Sequence, residues 1–259
     1  MSQPTLCPAA RVRDRAGEAE WQVRVDVAAA YRLVARHGMT DMIANHISAQ
    51  VPDEPGHFLI NPYGLLYEEV TASSLVKINL QGDVVDDPGQ GEGINYAGFV
   101  IHGAIHEARH DIRCIIHTHT PAGMAVSALE CGLLNVTQGS SRWSHVAYHD
   151  FYGLAVDLEE RRILVEDLGD ADVMIMRNHG LLALGRTIPE AFNNIYQLEQ
   201  ACRTQLLAQA CNTPLVIPDD NVWNHTQGQW QPEGLATYAR LQWSALLRRL
   251  DREDPSFRN

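Results

Sequence analysis

A chain of 259 residues with 45% hydrophobic content can form one large α/β domain or two small ones around a substantial core. The formal net charge of -12, without a basic tract, argues against nucleic acid and anionic membranes as partners. The first residues lack the charged and apolar regions of a signal peptide, and no apolar run has the length of a membrane span. We therefore expect a cytoplasmic protein.

The first half of the chain predicts a tail, a helix and several strands. Residues 1–18 are polar and interrupted by prolines, so we interpret them as an N-terminal tail. Apolar residues at helical spacing predict a helix over 20–36, which stops at Gly38. The further predicted elements are strands over 46–51, 57–60 and 76–80, a glycine-containing loop over 86–93 and a helix over 95–109.

The second half predicts alternating strands and helices. Thr187 and Glu190 have the capping-box spacing, so they predict the start of a long helix that runs to about 211. The other predicted elements are strands over 112–117, 173–176 and 181–184, helices over 121–129, 158–168 and 235–250, and a loop over 219–231. Because no internal repeat is visible, we predict one main domain over 19–215, followed by a C-terminal extension over 216–259 with a terminal helix.

Cysteine and lysine content bears on the chemistry that the chain can perform. The five cysteines contain no CxxC pair, which indicates buried thiols rather than a disulfide framework or a cysteine-based zinc site. Lys77 is the only lysine, so Schiff-base chemistry would have a single candidate amine. If carbonyl chemistry occurs, this composition favours a metal ion over a lysine as the electrophile.

Three histidines near predicted strand ends form the strongest candidate for a metal site. His117 and His119 are two residues apart, so in an extended strand both imidazoles lie on one face. His179, in the sequence Arg177-Asn178-His179-Gly180, would complete a facial set. Three neutral nitrogen ligands leave a position open for water or substrate, as in catalytic zinc sites.

Two other groups of histidines are alternatives. His102, His106 and His110 lie four residues apart on one predicted helix, and such a spacing can also hold a metal, although a polar helix face is the simpler interpretation. His145 and His149 lie in an alternating segment typical of a strand. We expect that pair to contribute at most to a substrate site or an interface.

Longer motifs occur in a fixed order between about residues 25 and 215. They are Phe-Leu-Ile-Asn-Pro-Tyr-Gly-Leu-Leu-Tyr at 58–67, Val-Thr-Ala-Ser-Ser-Leu-Val-Lys-Ile-Asn-Leu at 70–80, the His-Thr-His segment and Arg-Asn-His-Gly. Together they resemble the class II aldolase/adducin family, specifically a stand-alone domain of its adducin-head branch. The resemblance implies an α/β fold, a three-layer αβα sandwich around a mainly antiparallel sheet, often assembled as a tetramer. It also implies that His117, His119 and His179 hold zinc.

The sequence departs from the family's sugar-phosphate aldolases at several positions. Their glutamate, a ligand and acid/base nineteen residues before the first metal histidine, corresponds here to Gly98. The small hydroxyl residues that help those enzymes to hold phosphate correspond to Tyr63 and Tyr96-Ala97. Their cross-subunit tyrosine has no clear match, although Tyr148 or Tyr152 could substitute. We therefore do not expect a phosphorylated substrate.

The resemblance implies a divalent-metal-dependent enzyme, with Zn²⁺ as the default ion and iron, manganese, cobalt or nickel as alternatives. We expect cleavage of a carbon-carbon bond, by retro-aldol reaction or decarboxylation, in a non-phosphorylated hydroxy or keto acid. By position in the family motifs, the substrate pocket would be lined by Asn45, Asn61, Gly64 and Asn95. The catalytic residue is unassigned, and the candidate proton donors are Glu92, Tyr96, His102 and Tyr148.

Two other functions are compatible with the same fold. A non-catalytic oligomeric scaffold would keep the fold but not the chemistry that depends on the glutamate. An iron-dependent oxygenase would use the open position of a three-histidine site. Adducin heads also resemble this chain, but the actin and spectrin contacts of adducins depend on a basic tail, and no lysine-rich extension is present. We therefore do not expect a membrane-skeleton role.

Overall fold

Eight strands form one central sheet in the protein, which we describe for residues 8–153 and 158–259 of a computed structural model. The strands are β1 (His46–Gln50), β2 (His57–Ile60), β3 (Val76–Asn79), β4 (Val84–Asp86), β5 (Cys114–Thr118), β6 (Ala147–His149), β7 (Val173–Met176) and β8 (Gly180–Gly185). Their order is β4-β3-β2-β1-β5-β8-β7-β6. Only the β6–β7 pair is parallel within the described sheet, so the prediction of a mainly antiparallel sheet is confirmed.

Helices cover both faces of this sheet. They are α1 (Pro8–Arg15), α2 (Glu18–Arg36), α3 (Tyr96–Ala108), α4 (Pro121–Ser127), α5 (Leu158–Leu168), α6 (Ile188–Ala210), α7 (Asp220–Gln229) and α8 (Pro232–Glu253). Short 3₁₀ helices occur at Gln138–Arg142 and Pro255–Arg258. None of the helices within the described ranges combines the length and the apolar character that a membrane crossing requires.

The side-chain alternation of the central strands assigns the helices to two layers. In β5, Cys114 and Ile116 belong to the main core, which the sheet shares with α2, α4, α6 and α8. Ile115 faces the opposite side, where it packs with residues of α3 and α5. The predicted three-layer αβα sandwich is therefore confirmed. His117, two residues beyond Ile115, lies on the α3 side.

The sequence prediction lacks α1, β4 and α7. Helix α1 lies within the expected tail, and Val12 on it is only 1% exposed. Strand β4 pairs with β3 ahead of the predicted loop. Helix α7 replaces most of the loop predicted over 219–231, and Trp223 is its one buried residue, so its polar remainder hid the helical pattern.

The residues after 215 pack into the same core as the sheet. Trp243 and Leu250 of α8 and Phe257 of the last 3₁₀ helix are at most 6% exposed and contact the main core. The indole Nε1 of Trp243 donates a hydrogen bond of 3.1 Å to Asp26 on α2. The backbone oxygen of Phe257 accepts from the amide of Ala72 at 2.9 Å. This C-terminal segment therefore helps to hold α2 in place.

Candidate metal centre

Three imidazole nitrogens converge at one end of the β5–β8 pair. Nε2 of His117 lies 2.8 Å from Nε2 of His119 and 3.2 Å from Nε2 of His179. One nitrogen from each ring lies within 4.8 Å of the others. His117 is 1% exposed, whereas the side chain of His119 is 17% exposed, so the cluster has a buried floor and an open side.

The sheet pairing explains why these distant residues meet. Strands β5 and β8 are antiparallel, with Thr118 opposite Leu181, so the turn before β8 lies beside the end of β5. In that turn Asn178 has a φ of +54°, a left-handed conformation that asparagine tolerates. A Cβ atom at Gly180 would lie 2.4 Å from the backbone oxygen of Thr118. Glycine at this position therefore allows the turn to bring His179 to the other two rings.

Hydrogen bonds at the far side of two rings fix their orientation. Nδ1 of His117 donates to the backbone oxygen of Leu181 at 2.9 Å, which leaves the lone pair of Nε2 directed at the cluster. Nδ1 of His119 lies 3.1 Å from the carboxylate of Asp41. Metal-binding histidines usually have such carbonyl or carboxylate partners, which fix the tautomer and raise ligand basicity.

Burial favours the neutral form of two rings of the cluster, those of His117 and His179. It places the pKa of His117 well below the ordinary value, and the neighbouring His179, His46 and His119 lower that pKa further. Burial, with His119 and His149 nearby, also lowers the pKa of His179 to about 4. Neutral imidazoles are the form that binds metals.

The cluster fits a divalent cation. Metal–nitrogen distances of about 2.0–2.1 Å separate the ligand nitrogens by roughly 3 Å, and the two observed separations from His117 Nε2 are 2.8 and 3.2 Å. Three neutral nitrogen donors suit zinc and also iron, cobalt or nickel. His117, His119 and His179 could therefore hold one ion and leave a coordination position open for a ligand.

Comparison with known proteins agrees with this geometry. The family described as "Class II Aldolase and Adducin N-terminal domain" matches residues 25–206. The chain belongs to this class II aldolase/adducin family. A crystal structure of an aldolase II superfamily protein from Pseudomonas syringae is 50% identical, with a TM-score of 0.89 over 96% of this chain and 99% of that one.

Two further proteins are similar to this chain, one named as an aldolase and one as an adducin. The L-fuculose 1-phosphate aldolase from Glaciozyma antarctica PI12 is 28% identical, with a TM-score of 0.82, over 100% of this chain and 97% of that one. Alpha-adducin from Rattus norvegicus is 50% identical over 185 residues, which are 71% of this chain but 25% of the adducin. The chain thus resembles an aldolase over its whole length and one part of an adducin.

The four residues expected to line the substrate pocket differ in their burial, hydrogen bonding and backbone conformation. Asn45 is fully buried, and neither atom of its amide has a hydrogen-bond partner within the described residues. The side-chain oxygen of Asn61 accepts from the hydroxyl of Tyr31 at 2.8 Å, and that of Asn95 caps α3 by accepting from the Ala97 amide. Gly64 has a φ of +99° in its turn. Asn45 is therefore the asparagine of this set whose side-chain amide is buried and has no partner among the described residues.

The candidate proton donors also lie in different environments. Tyr96 is 51% exposed at the start of α3, and Glu92 is exposed in the preceding loop. The hydroxyl of Tyr148 accepts from the amide of Leu133 at 2.9 Å, and the Arg177 guanidinium stacks on its ring. These contacts give Tyr148 a structural role. His102 is fully buried between α3 and the sheet.

The prediction that the histidines of α3 form a polar helix face is wrong. His102 and His106 are 0% and 3% exposed because this side of the helix packs on β1, whereas His110 lies beyond the helix end. Sequence reasoning did not identify the two partners, His46 and Ser48, which extend toward α3 from β1. The sequence does contain a signal for these partners, because His46, Ile47 and Ser48 alternate as in a strand. Ile47 lies in the core on the other face of the sheet, which leaves His46 and Ser48 on the α3 side.

The remaining alternative groups have structural partners. His149 is 1% exposed, with its nitrogens 2.7 Å from the Asp167 carboxylate and 3.3 Å from that of Glu160. Lys77 donates to Glu20 at 2.8 Å and to Glu54 at 2.9 Å. Burial opposes a charged Lys77, but hydrogen bonds from both carboxylates raise the pKa of its amine overall. A protonated, paired amine is unsuited to Schiff-base formation.

Proposed function

We propose that this family member is a divalent-metal-dependent lyase that cleaves a carbon-carbon bond in a non-phosphorylated hydroxy or keto acid. The observation that carries the proposal is the convergence of His117, His119 and His179, with separations of 2.8 and 3.2 Å from His117 Nε2. Similarity to an L-fuculose 1-phosphate aldolase over the whole chain supports the reaction class.

Each residue of the site would have a distinct role. A bound cation supplies Lewis-acid stabilisation of the negative charge that develops on oxygen when the carbon-carbon bond breaks. His117 would hold the ion through Nε2, because Leu181 fixes its tautomer. Asp41 would orient His119. The unpartnered amide of Asn45 supports a role in substrate binding, since a buried amide without partners is unfavourable unless a ligand satisfies it.

The turn around Tyr63 supports a substrate without phosphate. The amide of Tyr63 donates to the oxygen of Gly93 at 2.9 Å, and its own oxygen accepts from the Glu92 amide at 3.0 Å. A backbone amide that already has an internal acceptor is not available to an anion. The loop before α3 therefore occupies a donor that could otherwise bind phosphate.

Metal analysis of purified protein tests the site. We expect about one equivalent of zinc or another divalent ion in the wild type after metal-replete dialysis, and no retained ion in the His117→Ala/His179→Ala variant. His145→Ala is the matched control, because the side chain of His145 is 48% exposed and lies beside Asp170 rather than in the cluster. Equal metal content in the wild type and the double variant would disprove the site.

A second candidate function is a non-catalytic scaffold, which the 50% identity with part of alpha-adducin favours. A screen of hydroxy and keto acids for metal-dependent turnover separates the two functions. We expect turnover that EDTA abolishes and that the His117→Ala/His179→Ala variant lacks. A metal-loaded protein with no turnover across the panel would support the scaffold.

We also propose that the protein assembles as a homotetramer, as the family resemblance implies. Two adjacent aromatic residues, Phe151 and Tyr152, are 55% and 59% exposed, which supports an interface at this edge of the sheet. Light scattering after size-exclusion chromatography should give four times the 28.8 kDa of one chain. A monomeric mass at micromolar concentration would refute the tetramer.

A further inference from the structure

A buried chain of hydrogen-bonding side chains lies between β1 and α3, next to the candidate metal centre. Nδ1 of His46 lies 3.0 Å from Nε2 of His102, and Nδ1 of His102 lies 2.8 Å from the hydroxyl oxygen of Ser48. The same oxygen lies 2.8 Å from Nε2 of His106. We call these four residues the histidine relay. All four are at most 3% exposed.

His46 places one end of the histidine relay beside the metal centre. In the β1–β5 pairing His46 lies directly opposite His117, and their ring centroids are 5.0 Å apart. Nε2 of His46 forms no hydrogen bond within the residues that the structure describes, whereas its Nδ1 faces His102. The free nitrogen of His46 is therefore available to a ligand at the centre.

Gly98 makes room for the His46 ring. A Cβ atom at Gly98 would lie 2.7 Å from Cδ2 and 2.8 Å from Cγ of His46, closer than side chains tolerate. The ring thus occupies the volume that a side chain at position 98 would enter. This is the position at which the aldolase branch is expected to carry its glutamate. A glutamate at 98 and the observed placement of His46 exclude each other.

The far end of the histidine relay sets its hydrogen-bond direction. Nδ1 of His106 is buried and has no partner in the described part of the chain. Buried N–H groups without acceptors are rarer than acceptors without donors, so the His106 proton belongs on Nε2, which donates to Ser48. The single hydroxyl proton of Ser48 then goes to Nδ1 of His102. Nε2 of His102 donates to Nδ1 of His46, which leaves the His46 proton on Nε2.

Burial supports this neutral arrangement. It lowers the pKa of His102 well below the ordinary value, and it lowers the pKa of His106 to about 3. With one proton on each ring, each link of the histidine relay has one donor and one acceptor.

We propose that His46 takes the place of the missing glutamate and directs an Nε2–H donor at an oxygen of the acid bound at the metal centre. The ligand's identity in this inference rests on the proposed function. A fixed N–H donor stabilises negative charge on a carboxylate or enolate oxygen, and it requires no proton transfer. His102, Ser48 and His106 act as positioning residues, because together they hold the proton of His46 on Nε2.

Nitrogen NMR of histidine tautomers in metal-free protein tests the direction of the hydrogen bonds in the histidine relay. Two-bond and three-bond ¹H–¹⁵N correlations distinguish a protonated Nε2 from a protonated Nδ1, and His46→Gln assigns the signals. We expect His46 and His106 protonated on Nε2. A His46 proton on Nδ1 overturns the proposal, because the ring would then present a lone pair. This result does not depend on whether the protein binds a metal.

A pair of substitutions tests whether His46 and position 98 share one volume. We expect Gly98→Ala alone to lower the urea midpoint of unfolding. In a His46→Ala background the same change should leave the midpoint unchanged or raise it, since alanine favours the helix. Equal effects of Gly98→Ala in both backgrounds would contradict the assignment of this space to His46.

Ligand binding tests the donor itself. Cobalt-loaded protein is titrated with oxalate, a dianion that offers only acceptors, and the visible spectrum of the ion reports binding. We expect His46→Phe to weaken oxalate binding by about 10- to 100-fold, as for loss of a hydrogen bond to a charged group. His46→Gln, which keeps an N–H at the tip, should recover part of the loss.

The outcomes of the cobalt experiment separate this proposal from the proposed function. Unchanged oxalate affinity in His46→Phe, or no oxalate binding by wild type that holds cobalt, overturns the donor role. Failure of the wild type to retain cobalt contradicts the proposed metal centre instead, and the tautomer measurement then decides the proposal alone.

Discussion

At the scale of single residues, the candidate metal centre depends on groups that do not belong to the three-histidine cluster. Asp41 lies 3.1 Å from Nδ1 of His119, and Gly180 lets the turn of His179 approach β5. Neither residue would be found by searching the sequence for ligands. Each can be removed without changing a ligand atom, so each makes a specific prediction.

Replacing Asp41 should weaken metal binding while the fold remains stable. We expect Asp41→Ala to raise the zinc dissociation constant by about 10- to 100-fold, because the carboxylate orients His119. Isothermal titration with a competing chelator measures this change. The control is Asp170→Ala, which removes a similar histidine partner: Asp170 is 96% exposed and lies 3.5 Å from Nε2 of His145. Equal affinities of both variants would contradict the role of Asp41.

Replacing Gly180 should damage both the turn and the centre. The added methyl group would meet the oxygen of Thr118 at 2.4 Å, so we expect Gly180→Ala to cost about 1–3 kcal/mol in unfolding free energy and to abolish metal retention. Urea unfolding and metal analysis measure the two effects. At Gly234 in α8 the same change meets no atom within 4 Å, and we expect no loss there. A stable, metal-loaded Gly180→Ala protein would show that the turn has room.

At the scale of secondary-structure elements, the C-terminal 3₁₀ helix illustrates how a short polar segment contributes to the core. Phe257 is fully buried, and Arg32 of α2 donates to the carboxylate of Asp254 at 3.0 Å. We expect Phe257→Ala to reduce the unfolding free energy by about 3–5 kcal/mol, as for other buried aromatic residues. Leu241→Ala, at a residue that is 58% exposed, should change it by less than about 0.5 kcal/mol in the same urea experiment.

Helix prediction succeeded where buried faces were wide or caps were specific. Helix α2 buries ten residues, and the sequence prediction places its start within two residues of the observed one. Thr187 caps α6 as predicted by accepting from the Glu190 amide, although the Glu190 carboxylate accepts from Arg186 rather than from Thr187. Helix α7 was missed because it buries only Trp223 among its described residues. A helix with a single buried residue has no apolar periodicity that would reveal it in the sequence.

At the scale of the whole molecule, buried and partly buried histidines connect stability to pH. Burial lowers the pKa of six histidines, which are His37, His46, His102, His106, His117 and His179. The folded state therefore binds protons on these rings less strongly than the unfolded chain, which takes them up below about pH 6.5. Stability is therefore complete above that pH and falls on acidification toward the folded-state values, about 4 for His179 and about 3 for His106.

Because of this linkage, the unfolding free energy should change measurably with pH. We expect the unfolding free energy of metal-free protein to fall between pH 7.5 and 5.5, with each fully coupled histidine contributing about 1.4 kcal/mol per pH unit below pH 6.5. His106→Asn should reduce the change of unfolding free energy per pH unit by the contribution of about one proton, because His106 has a folded-state pKa of about 3. Urea unfolding with EDTA at several pH values measures it. Identical slopes for the wild type and His106→Asn would contradict the prediction.

The sequence by itself determined the family and the candidate ligands, because ordered motifs and strand alternation are local in the chain, and the resemblance to that family implied the three-layer fold. Tertiary structure decided what surrounds those ligands. Only the β1–β5 register places His46 opposite His117, and only the packing of α3 on the sheet brings that ring against Gly98. The sequence prediction treated the helix histidines as a polar face. His102 and His106 instead belong to the buried histidine relay, because sheet and helix together exclude water from polar groups that must then bond to each other.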